Sequence, residues 1–266
     1  MASKLPAKNT NPARLPAMFI GHGNPMNAIT DNPYRQAWLQ LGKTLPRPSA
    51  VLCVSAHWQT HGTQVCVAEK PKTIHDFGGF PKELFAQQYP APGAPGHARM
   101  VSELFAAGTI TPTLEWGLDH GAWSVLQSLF PAADVPVFQL SLDINLDFAA
   151  HFALARKLAS LRERGVMMIA SGNIVHNLSR LNPQGGIADW ALDFDRYIKT
   201  ALEAGDDAAL IDITRAGNSA RLAVPSAEHY LPLLYTAAVR HADDTMRFLT
   251  DTFDLGTLSM RSVIYQ

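Results

Sequence analysis

Ten histidines are spread along this 266-residue chain, and several stand where packing gives little reason for them. His22 lies in "AMFIGHGNPM", between Gly21 and Gly23 and just past an apolar run. His57 directly follows "AVLCVSA", and His176 follows "VMMIASGNIV". Neutral imidazole is the commonest metal ligand and suits zinc and iron. Three imidazoles placed after apolar strands would meet at the sheet edge where an α/β fold binds its ligand. Their separations are long, so no local zinc motif such as HExxH is involved. The glycines beside His22 are expected to let backbone approach that site closely.

Two further histidines stand in unusual company at helix starts. In "GLDHGAWSVL", His120 lies between Asp119 and Gly121, and Asp119 or His120 can cap the following helix. In "VPSAEHYLPLLY", Glu228 and His229 stand at a helix start, where Ser226 can cap with His229 as a passenger. His75 in "TIHDFGGFP" sits in a Gly/Pro-rich loop and could line a pocket. His151 and His241 lie among polar residues in or beside helical patterns and read as solvated; His61 and His97 flank turns.

The elements that must position these residues alternate between two periods. Apolar strands are predicted at 16–20, 49–56, 63–68, 110–114, 135–142 and 166–171. Helices are predicted at 32–45, 98–107, 121–130, 147–164, 187–204 and 228–240. Asn32 before Pro33 marks a helix start, and Gly165 a helix stop. Residues 71–97 form a long irregular connection with a single helical turn near 82–87. Segments 245–253 and 257–265 read as an antiparallel closing pair. Fully apolar strands alternating with helices imply an α/β fold: one domain at 16–266 with a central, mostly parallel sheet covered by helices. Residues 1–15 read as a disordered N-terminal tail without the apolar core of a signal peptide.

Composition excludes several function classes. Lys and Arg number 22 against 23 Asp and Glu, so no basic surface for nucleic acid is expected. No apolar stretch is long enough for a membrane span. Cys53 and Cys66 lie in apolar runs and read as buried, free thiols. A cytoplasmic protein with neither a nucleic-acid nor a membrane partner is expected.

Taken together, "FIGHGNPM", "SAHW", "TIHDFGGFP", "YPAPG", "GLDHGAWSVL", "SGNIVHNL" and "EHYLPLLY" resemble the class III (LigB-type) extradiol ring-cleavage dioxygenases. The resemblance is to their 4,5-DOPA dioxygenase branch and runs from about residue 16 to residue 236. It implies a LigB-like single catalytic domain that opens a catechol ring with O₂, on DOPA or a related catechol. It implies Fe(II) as the working metal and Zn(II) as the ion carried on isolation. His22, His57 and His229 would be the metal ligands, with Glu228 as the alternative third. His176 would be the catalytic base, near enough to count as a fourth ligand, and His120 would contact substrate and oxygen. The partners expected are a small aromatic catechol and O₂. Specificity is expected from residues 71–97 and 178–190, with Trp58, Phe77, Phe80 and Tyr89 as candidate walls. Two other classes use the same histidines: a zinc-dependent hydrolase, and a non-catalytic metal-binding relative of the Memo type.

Overall fold

The computed structural model describes residues 14–266. Ten strands and nine α-helices occur in these residues. The strands are β1 Ala17–Gly21, β2 Ala50–Thr60, β3 Thr63–Cys66, β4 Ile110–Thr113, β5 Val137–Asp143, β6 Val166–Gly172, β7 Met246–Thr250, β8 Phe253–Asp254, β9 Leu258–Ser259 and β10 Ser262–Tyr265. The helices are α1 Pro33–Gly42, α2 Lys82–Phe85, α3 Pro95–Glu103, α4 His120–Leu129, α5 Phe148–Arg156, α6 Asp189–Ala204, α7 Asp207–Ile211, α8 Asn218–Ala223 and α9 Leu231–Ala238. No helix among the described residues is long and apolar enough to cross a membrane.

Eight strands form one sheet in the order β4-β3-β5-β2-β6-β1-β10-β7. Its centre, β5-β2-β6-β1, is parallel throughout. The antiparallel pairs are β3 with β5 on one side, and β10 with both β1 and β7 on the other. The predicted closing pair is thus β7 and β10, with the short hairpin β8-β9 between them. The central strands are apolar because both faces are covered. In β1, Ala17 and Phe19 enter the core under α3, α5 and α6–α9, while Met18 and Ile20 enter the core under α1 and α4. Strands β2 and β6 alternate in the same way, with Leu52 and Met168 on one face and Val51 and Met167 on the other.

Local signals hold at several ends. Asn32 caps α1 by accepting from the Arg35 backbone N–H, with Pro33 in the first turn. The helix predicted at 147–164 divides into α5 and a 3₁₀ turn, Ala159–Arg164, closed by Gly165 at φ 81°. Helices α7 and α8 were not anticipated; each is too short to show a periodic face. One boundary needs correction at the N-terminus. Leu15, assigned to the tail, is buried, and its backbone N–H donates to the Arg162 carbonyl at 2.9 Å. Arg162 Nε donates to the Leu15 carbonyl at 2.7 Å, so the folded domain includes Arg14 and Leu15. The rest of the expected tail, residues 1–13, lies outside the described residues.

Candidate active site

Three neighbouring strands, β2, β6 and β1, deliver His57, His176 and His22 to the same edge. His22 follows the last residue of β1, and its N–H donates to the Gly172 carbonyl at the end of β6. His57 does not follow β2 as predicted but lies inside it, at an irregularity. Val54 pairs with Leu140 and Gln59 with Leu142, so Ser55, Ala56, His57 and Trp58 face only Ser141 on β5. Such a bulge re-aims a side chain. His176 lies beyond β6 and forms an isolated bridge with Leu258.

His120 and His229 come from helix starts. Both readings of "LDH" hold at once: Asp119 caps α4 by accepting from the Ala122 N–H, and His120 occupies the first helical position and turns into the cavity. The Ser226 capping box does not form. Ser226 Oγ donates to Glu228 Oε1 instead, and α9 starts after Tyr230. His229 is held by its backbone carbonyl, which accepts from the Asn173 N–H at 2.9 Å. A side chain at position 172 would collide with that carbonyl, which explains Gly172.

All five histidines line one cavity of about 310 Å³. The His22, His57 and His229 ring centroids stand 5.1, 5.4 and 5.0 Å apart in the pairs 22–57, 22–229 and 57–229. His120 lies 3.8 Å from His57, and His176 stacks face to face on His229 at 3.5 Å. The ligand atoms of His22, His57 and His120 lie within 4.8 Å of one another, as do those of His176, Glu228 and His229.

Hydrogen bonds define what the rings present. Ser171 Oγ donates its single proton to the Gly121 carbonyl at 2.6 Å. It must therefore accept from His22 Nδ1–H at 2.9 Å, which leaves a lone pair on His22 Nε2. That atom lies 3.2 Å from Nε2 of His57. So close an approach of two ring nitrogens suits a shared proton or a cation between them. His57 Nδ1 is turned toward Asp76 Oδ2 at 3.5 Å, and His229 Nδ1 donates to Glu228 Oε1 at 3.1 Å. Carboxylates behind imidazoles are the usual support of a metal-binding histidine, so the donor set fits a divalent ion. Burial, reinforced by the neighbouring imidazoles, holds His22 and His229 well below the ordinary imidazole pKa. Burial likewise lowers His57 to about 3 and His176 to about 4. Neutral imidazole is the form that binds metal.

The other predicted residues divide. Phe80 lines the cavity and Phe77 packs edge-on against His120 at 5.5 Å. Trp58 instead stacks on Trp116, and Tyr89 donates to the Phe130 carbonyl inside the core. His75 does not line the pocket; it bonds to the Gln87 carbonyl and packs on Trp123. Its neighbour Asp76 is the residue that reaches the site. His151, read as solvated, is fully buried between Tyr235 Oη and the Asp143 carbonyl. Gly21 and Gly23 make room for the Met260 backbone and side chain of the C-terminal hairpin, and Gly23 has φ +58°. Leu178 and Leu181 line the mouth from the predicted 178–190 segment, joined by the unforeseen Leu255 and Leu258. Their only sequence signal was their place in a closing hairpin.

The chain also matches a known family. The family model for the catalytic LigB subunit of aromatic ring-opening dioxygenase matches residues 17–259. The chain belongs to the LigB family. An Escherichia coli (strain K12) LigB relative named "4,5-DOPA dioxygenase extradiol" is 45% identical over 94% of each chain. A Beta vulgaris protein of the same name is 35% identical, covering 92% of this chain and 94% of its own. A solved structure of an uncharacterized Escherichia coli K12 protein superposes with TM-score 0.84 at 39% identity, over 95% of this chain and 100% of its own. The LigB chain is a metal-dependent extradiol ring-cleavage dioxygenase that opens a catechol with O₂, and its histidine cluster can hold the metal.

Proposed function

We propose that His22, His57 and His229 hold one divalent metal, Fe(II) in the working enzyme, and that the substrate is DOPA or a closely related catechol. The observation that carries the ligand choice is the near-equal spacing of these three rings, at 5.0–5.4 Å, as three ligands of one centre require. His120, at 3.8 Å from His57 but 5.7 Å from His22, does not share that spacing. Glu228 is read as the support of His229 rather than the ligand, because its Oε1 already accepts from His229 and Ser226.

When bound, Fe(II) supplies the positive charge that acidifies the catechol hydroxyls and the electron that O₂ needs; zinc supplies only the first. The chain's own residues do the rest. Burial lowers the His176 pKa to about 4, so the ring is neutral at pH 7 and presents a lone pair that can accept from a catechol hydroxyl. Its face-to-face position on His229 keeps it beside the ligand set. His120 faces the same cavity, where it would contact the substrate or oxygen. Phe80, Leu178, Leu181, Leu255 and Leu258 make an apolar surround that excludes water from the ring being opened. The names of the two relatives favour DOPA as the catechol.

Imidazole binds both ions, and the usual affinity order places Zn²⁺ above Fe²⁺, so zinc is expected in the protein on isolation. The test is to strip the metal, reload anaerobically with Fe(II) or Zn(II), and follow O₂ uptake over a panel of catechols that includes DOPA. Uptake in the iron form alone, fastest with DOPA, supports the reading. Equal turnover by the zinc form overturns the iron assignment. An ester or amide cleaved by a zinc form that never consumes O₂ would restore the hydrolase.

A further inference from the structure

We propose that Asp76 is a positioning residue for ring opening, fixing which nitrogen of His120 faces the substrate; this rests on the role given to His120 above. Asp76 sits on the Gly/Pro-rich connection, yet the backbone just before it is held by three hydrogen bonds. The Ile74 N–H donates to the Leu118 carbonyl at 2.7 Å, the Leu118 N–H to the Lys72 carbonyl at 2.8 Å, and Trp123 Nε1–H to the Ile74 carbonyl at 2.9 Å. From this anchored strip the carboxylate grips one residue twice. Oδ1 accepts from the His120 backbone N–H at 2.8 Å, and Oδ2 accepts from its ring Nδ1 at 2.9 Å. Holding main chain and ring together fixes the ring's rotation, and Phe77 packs edge-on against the same ring. A carboxylate can only accept, so the shared proton belongs to Nδ1. With Nδ1–H held this way, the nitrogen left to face the cavity is Nε2, whose lone pair in the uncharged ring is an acceptor for a catechol hydroxyl.

Asp76→Asn separates this role from mere scaffolding. The amide oxygen can still accept from the His120 N–H, but the amide NH₂ then faces Nδ1 and donates, driving the ring proton to Nε2. Three readouts apply. Ring ¹⁵N NMR of the metal-free protein should show the His120 proton moving from Nδ1 to Nε2. At saturating Fe(II), kcat should fall on the order of 10²-fold or more, the scale of a misplaced acid–base group. In a His120→Ala background the same change should cost nothing further, because Asp76 acts through that ring. Saturating metal restores any occupancy lost through the 3.5 Å approach to His57, and the His120→Ala background shows whatever passes through His57 instead. An unchanged tautomer, an unchanged kcat, or a loss that multiplies with that of His120→Ala each overturns the proposal. If Asp76→Asn fails to fold, Asp76→Ala is read in the same cycle. If the wild-type iron form opens no catechol, the dioxygenase role of His120 fails, while the NMR result still decides whether Asp76 sets its tautomer.

Discussion

Replacing Ser171 with Ala should weaken metal binding without touching a ligand. Ser171 is fully buried, and its Oγ stands between the Gly121 carbonyl and His22 Nδ1 at 2.6 and 2.9 Å. His22 itself is only 2% exposed, so water cannot take the place of the hydroxyl. The variant leaves an N–H without its acceptor, at a cost of about 1–3 kcal/mol. The ring can recover part of this by moving its proton to Nε2, where His57 Nε2 waits 3.2 Å away as an acceptor. That tautomer blocks the nitrogen a metal needs. Loss of such a supporting group typically weakens metal affinity by ~10–100-fold, or about 1.4–2.8 kcal/mol, which agrees with the hydrogen-bond figure. The assay is Zn²⁺ competition against a chromophoric chelator at fixed pH, alongside thermal unfolding of the metal-free protein. Each kcal/mol of lost stability should lower Tm by about 2–4 °C. An affinity within about twofold of wild type, with Tm unchanged, would refute the tautomer reasoning.

Three more outcomes are expected. His229→Ala should lose its metal by elemental analysis, whereas Glu228→Gln should keep a metal bound ~10–100-fold more weakly; the reverse pattern would move the third ligand to Glu228. His176→Ala should keep its metal and lose turnover by ~10²–10⁴-fold; equal loss of metal would make His176 a ligand. Metal-free protein should lose stability as pH falls below the ordinary imidazole value of about 6.5, because unfolded histidines protonate there while folded His176 and His57 stay neutral to about 4 and 3. The loss approaches about 1.4 kcal/mol per pH unit for each such histidine. A Tm that stays flat from about pH 6.5 to 4.5 counts against those buried neutral rings.

Much of the site was legible in local sequence, for reasons visible in the structure. His22 and His176 follow apolar strands, and chain order alone places them at the carboxyl edge. His57 was found for a partly wrong reason: its strand continues to Thr60, and the bulge that aims it depends on β5 having only Ser141 opposite. His75 and Asp76 are neighbours in an irregular loop, where no period tells which side chain points inward. The pairing of Lys72–Ile74 with Leu118 decides it for Asp76. His151 looked solvated among polar neighbours, yet α5 and α9 pack together and bury it against Tyr235.

What the sequence determined by itself were the features written within a few residues. Both-face apolar strands, the Asn32 cap, the Gly165 stop and the identity of the histidines all belong to that class. Each depends on a backbone period or on a side chain reaching its own local N–H. Tertiary structure alone decided that β2, β6 and β1 lie side by side, although they are far apart in the chain. It also decided that the C-terminal hairpin brings Leu255 and Leu258 to the cavity, and that Ser171, Asp76 and Glu228 stand behind three different rings. Those contacts join elements whose relative placement follows from how the whole apolar surface is buried, and no short stretch of sequence carries that information.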